Sequence, residues 1–156
     1  MKLYIAYGTE ADQVIALRLQ ALAAVNGLGV YVPPAYTRRP SATTLEPQAL
    51  DRLMESDVVL GVITTGISNT CRQELDAARA FARKKDLIVL ADPAVALELQ
   101  DHFPGKVVVI DPANPAQAEQ QMVQYLKQTE IEQTARAALI ALGTLALGLM
   151  LFAPQE

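Results

Sequence analysis

The sequence predicts an α/β domain in which five parallel strands form a sheet covered by helices on both faces. Three observations carry that expectation. Short, unbroken apolar runs alternate with helical patterns over residues 1–128. The runs are rich in Val, Ile and Leu and lack the in–out alternation of a strand with one wet face, as expected for strands buried on both sides. The joints between them hold Gly, Pro, Asp and Asn, the residues that turn chains and cap helices. At 156 residues and 51% hydrophobic, the chain is long enough for one domain with a substantial core.

The elements follow in order. KLYIAY (2–7) is a strand, and ADQVIALRLQALAAV (11–25) is a helix whose expected inward stripe is Val14, Leu17, Ala21 and Ala24 or Val25. GVYVPP (29–34) is a short strand stopped by its prolines. A polar loop, AYTRRPSATTLEP, leads to a short helix, QALDRLMES (48–56). DVVLGVIT (57–64) is an apolar strand, followed by a helix within SNTCRQELDAARAFARKK (68–85). DLIVLAD (86–92), PAVALELQDHF (93–103) and KVVVID (106–111) read as strand, helix and strand, and a last helix begins near Pro115. The sum is a flavodoxin-like, three-layer architecture.

The helix of residues 68–85 has an informative register. Cys71, Leu75, Ala78 and Ala82 form its apolar stripe, and Arg72, Asp76, Arg79 and Arg83 form a charged stripe on one flank. Glu74 falls on the other flank with Ala77 and Phe81, and no cation stands at i+3 or i+4 to pair with it. An acid in the first turns of a helix is favoured by the macrodipole alone. Its place at the border of the buried face asks for a further reason.

Composition excludes several function classes. The net charge of −4, with no basic run, argues against nucleic acid as a partner. One cysteine, Cys71, and one histidine, His102, cannot make an internal disulfide or a zinc site. The opening MKLYIAYGTE lacks the apolar core of a secretory signal, so a reducing, cytosolic setting is expected for the folded part.

Ligands of such sheets bind outside the carboxyl ends of the strands, at a topological switch point. The segments expected there are Tyr7–Asp12, the loop with Arg38 and Arg39, Thr64–Asn69, and the pairs Asp92-Pro93 and Asp111-Pro112. Both Asp-Pro pairs are explained by Asp at an N-cap and Pro at N1. Thr70 and Gln73 have capping-box spacing. Cys71 fits a buried small hydrophobe, and His102 a surface or capping position. Arg38 and Arg39 suit a phosphate or an acidic patch, or are simply solvated. A phosphate-accepting receiver is excluded because the third strand ends in Thr64-Thr65 rather than aspartate. YGTEAD has too few glycines and hydroxyls for a flavin phosphate loop.

Two stretches together resemble Toll/interleukin receptor (TIR) domains. YIAYGTEAD resembles their opening strand and loop, roughly F-I-S-Y-S-x-x-D, and SNTCRQEL resembles their later motif, roughly S-x-W-C-x-x-E-L. The resemblance covers residues 1 to about 128. It implies cleavage of the nicotinamide–ribose bond of NAD, with Glu74 as the catalytic residue and NAD as substrate rather than cofactor. It also implies a site completed by self-association and shaped by the polar loop, Tyr36 to Leu45, in proteins that often serve antiphage defence. Tyr7, Gly8, Thr9, Arg38, Arg39, Ser68 and Asn69 are the expected substrate-binding residues; no metal is expected. The motif tryptophan is Thr70 here. LYIA and ELDAARAFARKKDLIVL also resemble nucleoside 2-deoxyribosyltransferases, whose first loop reads A-G-P where this one reads A-Y-G. In either family a carboxylate beside the ribose C1′ stabilises or captures an oxocarbenium-like centre. A non-catalytic TIR scaffold is the third reading.

Residues 129–156 form an extension. Ala137 to Ala153 is uncharged, about 17 residues, which meets the lower limit for a membrane span. Ala137, Ala141, Thr144 and Gly148 form a small-residue stripe. Lys127 and Arg136 precede the run and no cation follows it. The expectation is a membrane anchor with the domain in the cytoplasm; the alternative is a soluble oligomerisation helix.

Overall fold

The computed structural model describes residues 2–25, 29–34, 45–80, 86–104, 107–110, Gln120 and Ile140. Its elements run β1 (Lys2–Tyr7), α1 (Glu10–Val25), β2 (Gly29–Tyr31), α2 (Pro47–Glu55), β3 (Val58–Ile63), α3 (Asn69–Ala80), β4 (Asp86–Ala91), α4 (Pro93–His102) and β5 (Val107–Val109). All strand pairs are parallel, in the order β2-β1-β3-β4-β5. The chain steps from β1 outward to β2 and then returns to β3 on the other side of β1. That reversal is the switch point of a doubly wound sheet, between β1 and β3.

Strand periodicity divides the core into two layers. Leu3, Ile5, Tyr7, Val58, Leu60 and Val62 face α1, where they meet Ile15, Ala16, Leu19 and Ala23. Tyr4, Ala6, Val59, Ile63, Leu87 and Val89 face the opposite way, toward Leu53 of α2, Cys71, Leu75 and Ala78 of α3, and Ala96 and Leu99 of α4. Both faces of β3 are buried along its whole length, which is why its sequence shows no alternation. Gly61 lets α3 settle onto the sheet, since a Cβ there would lie 3.4 Å from Leu75 and 3.3 Å from Val89.

The rotation of α1 differs from the expected one. Its buried residues are Asp12, Ile15, Ala16, Leu19 and Ala23, while Val14 and Leu17 are 54% and 46% exposed and Ala21 and Ala24 also face solvent. The side chain of Val25 lies outside the described residues. The helix carries two apolar stripes on opposite sides, so hydrophobic spacing does not choose between them. Asp12 breaks the tie, because its carboxylate is fastened to Thr64 at the end of β3 and brings its own stripe inward.

Asp92 caps α4 as expected, its Oδ1 accepting from Ala94 N at 2.9 Å, with Pro93 in the first turn. Asp111 and the boundary at 128 lie outside the described residues. Gln120 and Ile140 are helical, and Ile140 packs half-buried against the core layer on the α1 side. Among the described residues no helix is long and apolar enough to cross a membrane, and of the run 137–153 only Ile140 is described.

Candidate functional site

The carboxyl edge at the switch point is built by backbone. Gly8 N donates to Val62 O and Ser68 N donates to Gly8 O, each at 3.0 Å, so the loops after β1 and β3 touch. A Cβ on Gly8 would sit 2.2 Å from the carbonyl oxygen of Gly66, which leaves glycine as the residue that fits. Asp12 closes the junction. Its carboxylate accepts from Thr64 N at 3.1 Å and from Thr64 Oγ1 at 2.5 Å. Burial pushes the Asp12 carboxyl above its ordinary range, against the opposing pull of the Thr64 hydroxyl and the backbone N–H groups of Thr64, Thr9 and Gly8.

The expected substrate-binding residues divide into groups. Tyr7 and Gly8 are buried, and the Tyr7 hydroxyl donates to Pro33 O at 2.6 Å. Thr9 is half-buried, and its Oγ1 makes no hydrogen bond. Ser68 is half-buried and Asn69 exposed, at the mouth of the edge. Ser68 is also the N-cap of α3, because its Oγ accepts from Cys71 N at 3.2 Å and its carbonyl from Arg72 N at 3.0 Å. This corrects the expected capping box: Thr70 and Gln73 lie inside α3, with Thr70 two residues past the position that caps it. Arg38 and Arg39 lie outside the described residues.

Glu74 goes further inward than its helical register suggests. It is 0% exposed, and its Oε2 accepts the hydroxyl of Tyr4, itself 0% exposed. Tyr4 stands on β1, on the sheet face toward α3, with its ring tilted against Tyr31 at 5.5 Å. The Arg52 guanidinium of α2 lies over Tyr31 at 5.7 Å. A carboxylate placed so deep needs a donor to offset lost hydration, and the phenol supplies one. In this closed arrangement no solvent reaches Glu74.

The other flank of α3 holds a cavity of about 160 Å³ lined by Ile67, Arg72, Asp76, Arg79, Glu98, Leu99, His102 and Phe103. Its arginines are engaged: Arg72 meets Glu98 at 2.9 Å and Arg79 donates to His102 O at 2.7 Å. Glu74 does not line it. No group of three or more metal-ligating side chains occurs among the described residues.

Sequence reasoning missed Asp12 and Tyr4 as individual residues. Both left a signal. Thr9-x-x-Asp12 has the spacing of a capping box, and Tyr4 places a hydroxyl in the middle of the strand, between Leu3 and Ile5.

No protein-family model and no curated protein sequence matches the chain. One solved structure to which it is similar is that of the TIR domains in the activated Roq1 resistosome directly recognizing the pathogen effector XopQ. The identity is 13%, covering 96% of this chain and 82% of that one, with a TM-score of 0.48.

Proposed function

We propose that the protein is a TIR-type NAD glycohydrolase or cyclase that cleaves the nicotinamide–ribose bond, in signalling or antiphage defence. The observation that supports the reading best is the Glu74 carboxylate, buried on α3 just below the carboxyl edge. A buried acid near a ligand-binding edge is a candidate for chemistry. Nicotinamide leaves as a neutral base, so the reaction needs little acid assistance. It does need a negative group against the positive charge that develops at C1′. Glu74 would supply it once the surrounding elements part, and self-association is the step proposed to part them, with the Arg38–Arg39 loop at the contact. The test is nicotinamide release from NAD at rising protein concentration. Release that climbs more steeply than concentration supports the reading; none at any concentration removes it, and turnover of nucleosides instead assigns the site to transfer of deoxyribose.

One observation favours a second reading. Glu74 is closed off and held by Tyr4, as a purely structural acid would be. In that reading the domain is a non-catalytic assembly scaffold.

The membrane anchor remains part of the proposal, supported by the uncharged run 137–153. With Ile140 packed half-buried against the core layer, 13 residues of the uncharged run, 141–153, follow it. As a helix those residues reach about 20 Å, short of a hydrocarbon core of about 30 Å. Crossing therefore requires Ile140 to leave the domain. Fractionation separates the two: an anchored chain pellets and resists alkaline carbonate, whereas a packed tail stays in the supernatant without detergent.

A further inference from the structure

We propose that the outward apolar stripe of α1 is a docking surface for this chain's own residues 141–153. The segment then has two places to go, the α1 face and a bilayer. The inference is independent of any role for Glu74; it bears on the anchor, which would draw on the same segment.

The first observation is that α1 is apolar on two opposite sides. Ile15, Ala16, Leu19 and Ala23 pack into the core layer on the sheet. Val14, Leu17, Ala21 and Ala24 face the other way, with Val14 and Leu17 54% and 46% exposed. A lone exposed leucine, such as Leu97 on α4, needs no explanation. Apolar residues at i, i+3, i+7 and i+10 make a continuous face over almost three turns, with Arg18 at its border. A helix that is apolar on both sides is suited to lie between two layers, and the sheet supplies one of them.

The second observation is the place of Ile140. It packs half-buried against the core layer that α1 covers, so the chain stands on the α1 side of the sheet where residues 141–153 begin. The third is fit. The stripe from Val14 to Ala24 is about 15 Å long, and residues 141–153 coiled as a helix would reach about 20 Å, enough to cover it. They are uncharged, so docking them buries no charge against Val14 and Leu17. Ala141, Thr144 and Gly148 would let a helix come close, and Ala21 and Ala24 are small on the facing side. A second copy of α1 suits the stripe less well. An antiparallel pair would bring two Arg18 side chains together near its centre, and like charges so placed oppose association.

The experiment is the reaction of Leu17→Cys with a water-soluble maleimide in the full-length chain, where the native thiol of Cys71 is buried. The rate is compared with that in a full-length chain that also carries Leu145→Glu and Leu149→Glu, which put charge into the tail. Leu17→Cys should react about tenfold more slowly with the native tail, as a covered position does. Leu97→Cys, 76% exposed on the helix across the sheet, should react equally fast with either tail. Ala21→Cys gives the same comparison should Leu17→Cys fold poorly. Equal rates at the stripe with the two tails overturn the proposal. So does protection that grows with protein concentration, which assigns the face to a second copy. Vesicles of phosphatidylcholine and phosphatidylglycerol then separate dock from anchor. A faster reaction of Leu17→Cys on their addition means that the bilayer takes the tail from α1, and a rate that stays slow keeps the dock and overturns the anchor instead.

Discussion

Among the described residues two acids are fully buried, Asp12 on α1 and Glu74 on α3, on the opposite side of the sheet. They are held by different means. Asp12 is satisfied mostly by backbone N–H groups of the two loops it joins, with the hydroxyl of Thr64, 52 residues away, beside them. Glu74 receives the side chain of a residue far away in sequence, on a different element. Backbone donors come with the fold and cannot be substituted away, so Asp12 belongs to the frame of the switch point. A side-chain donor is replaceable at no cost to the backbone, so the Glu74 pairing is compatible with the role proposed for the carboxylate. Changes at Asp12 should register in stability and changes at Glu74 in turnover.

The largest expected effect breaks the comparison on the Glu74 side. Glu74→Gln keeps an acceptor for Tyr4 and nearly the same volume but removes the charge. Turnover should fall by about a thousandfold or more, equivalent to about 4 kcal/mol of barrier, while thermal stability changes little. Single-turnover nicotinamide release and a melting curve on the same sample check both halves. A variant that melts far below wild type while any residual turnover is preserved would make Glu74 the frame residue instead.

Next in size is Gly8→Ala at the junction that Asp12 closes. The added Cβ meets the Gly66 carbonyl oxygen at 2.2 Å, and the clash is with backbone, which cannot rotate away. The loss should be about 2–4 kcal/mol in urea denaturation, as for other overpacked or strained positions. A loss below about 0.5 kcal/mol would mean that the two loops separate freely.

Element order was legible in the sequence because apolar runs and their Pro, Gly and Asp punctuation are local signals. The Asp92 cap is the plainest instance. The rotation of α1 was not legible, since Val14-Leu17-Ala21 and Ile15-Leu19-Ala23 are equally good stripes and the choice between them is made by Asp12 and Thr64, 52 residues apart. Glu74 was legible as a residue out of place, but not its depth. That depth depends on Tyr4 facing α3, which follows from the pairing of Tyr4 with Val59 across the sheet. Ser68 was placed at the correct edge, yet its capping duty was assigned two residues late because Thr70 offers an equally good hydroxyl.

A smaller effect has a sign that tests the Asp12 side. The folded-state pKa of Asp12 is raised above its ordinary value of 3.8, chiefly by burial. The folded protein then binds more protons than the unfolded chain between 3.8 and the folded value. The stability linked to this group is fully present below the unfolded pKa and is lost as pH rises through the folded pKa. Asp12→Asn removes that dependence, at a pH-independent cost of about 1–3 kcal/mol for donors left without an acceptor. Urea denaturation of both proteins across the acid range should therefore show wild type losing its advantage as pH rises. The reverse trend would mean that the Thr64, Thr9 and Gly8 donors outweigh burial.

The smallest effect concerns Ser68, which stands between the two acids, hydrogen-bonded to Gly8 on one side and opening α3 on the other. Ser68→Ala removes the cap acceptor for Cys71 N and should cost about 1 kcal/mol. Ser68→Asp restores an acceptor at the helix N-terminus and adds a charge that the macrodipole favours, so stability should return to within about 0.5 kcal/mol of wild type. The same charge would face the pyrophosphate of an NAD bound at this edge. If Ser68 both caps α3 and lines the substrate site, Ser68→Asp recovers stability but raises KM several-fold, while Ser68→Ala loses stability with a smaller change in KM. If both variants keep the wild-type KM, Ser68 is a cap alone and the substrate lies elsewhere along the edge.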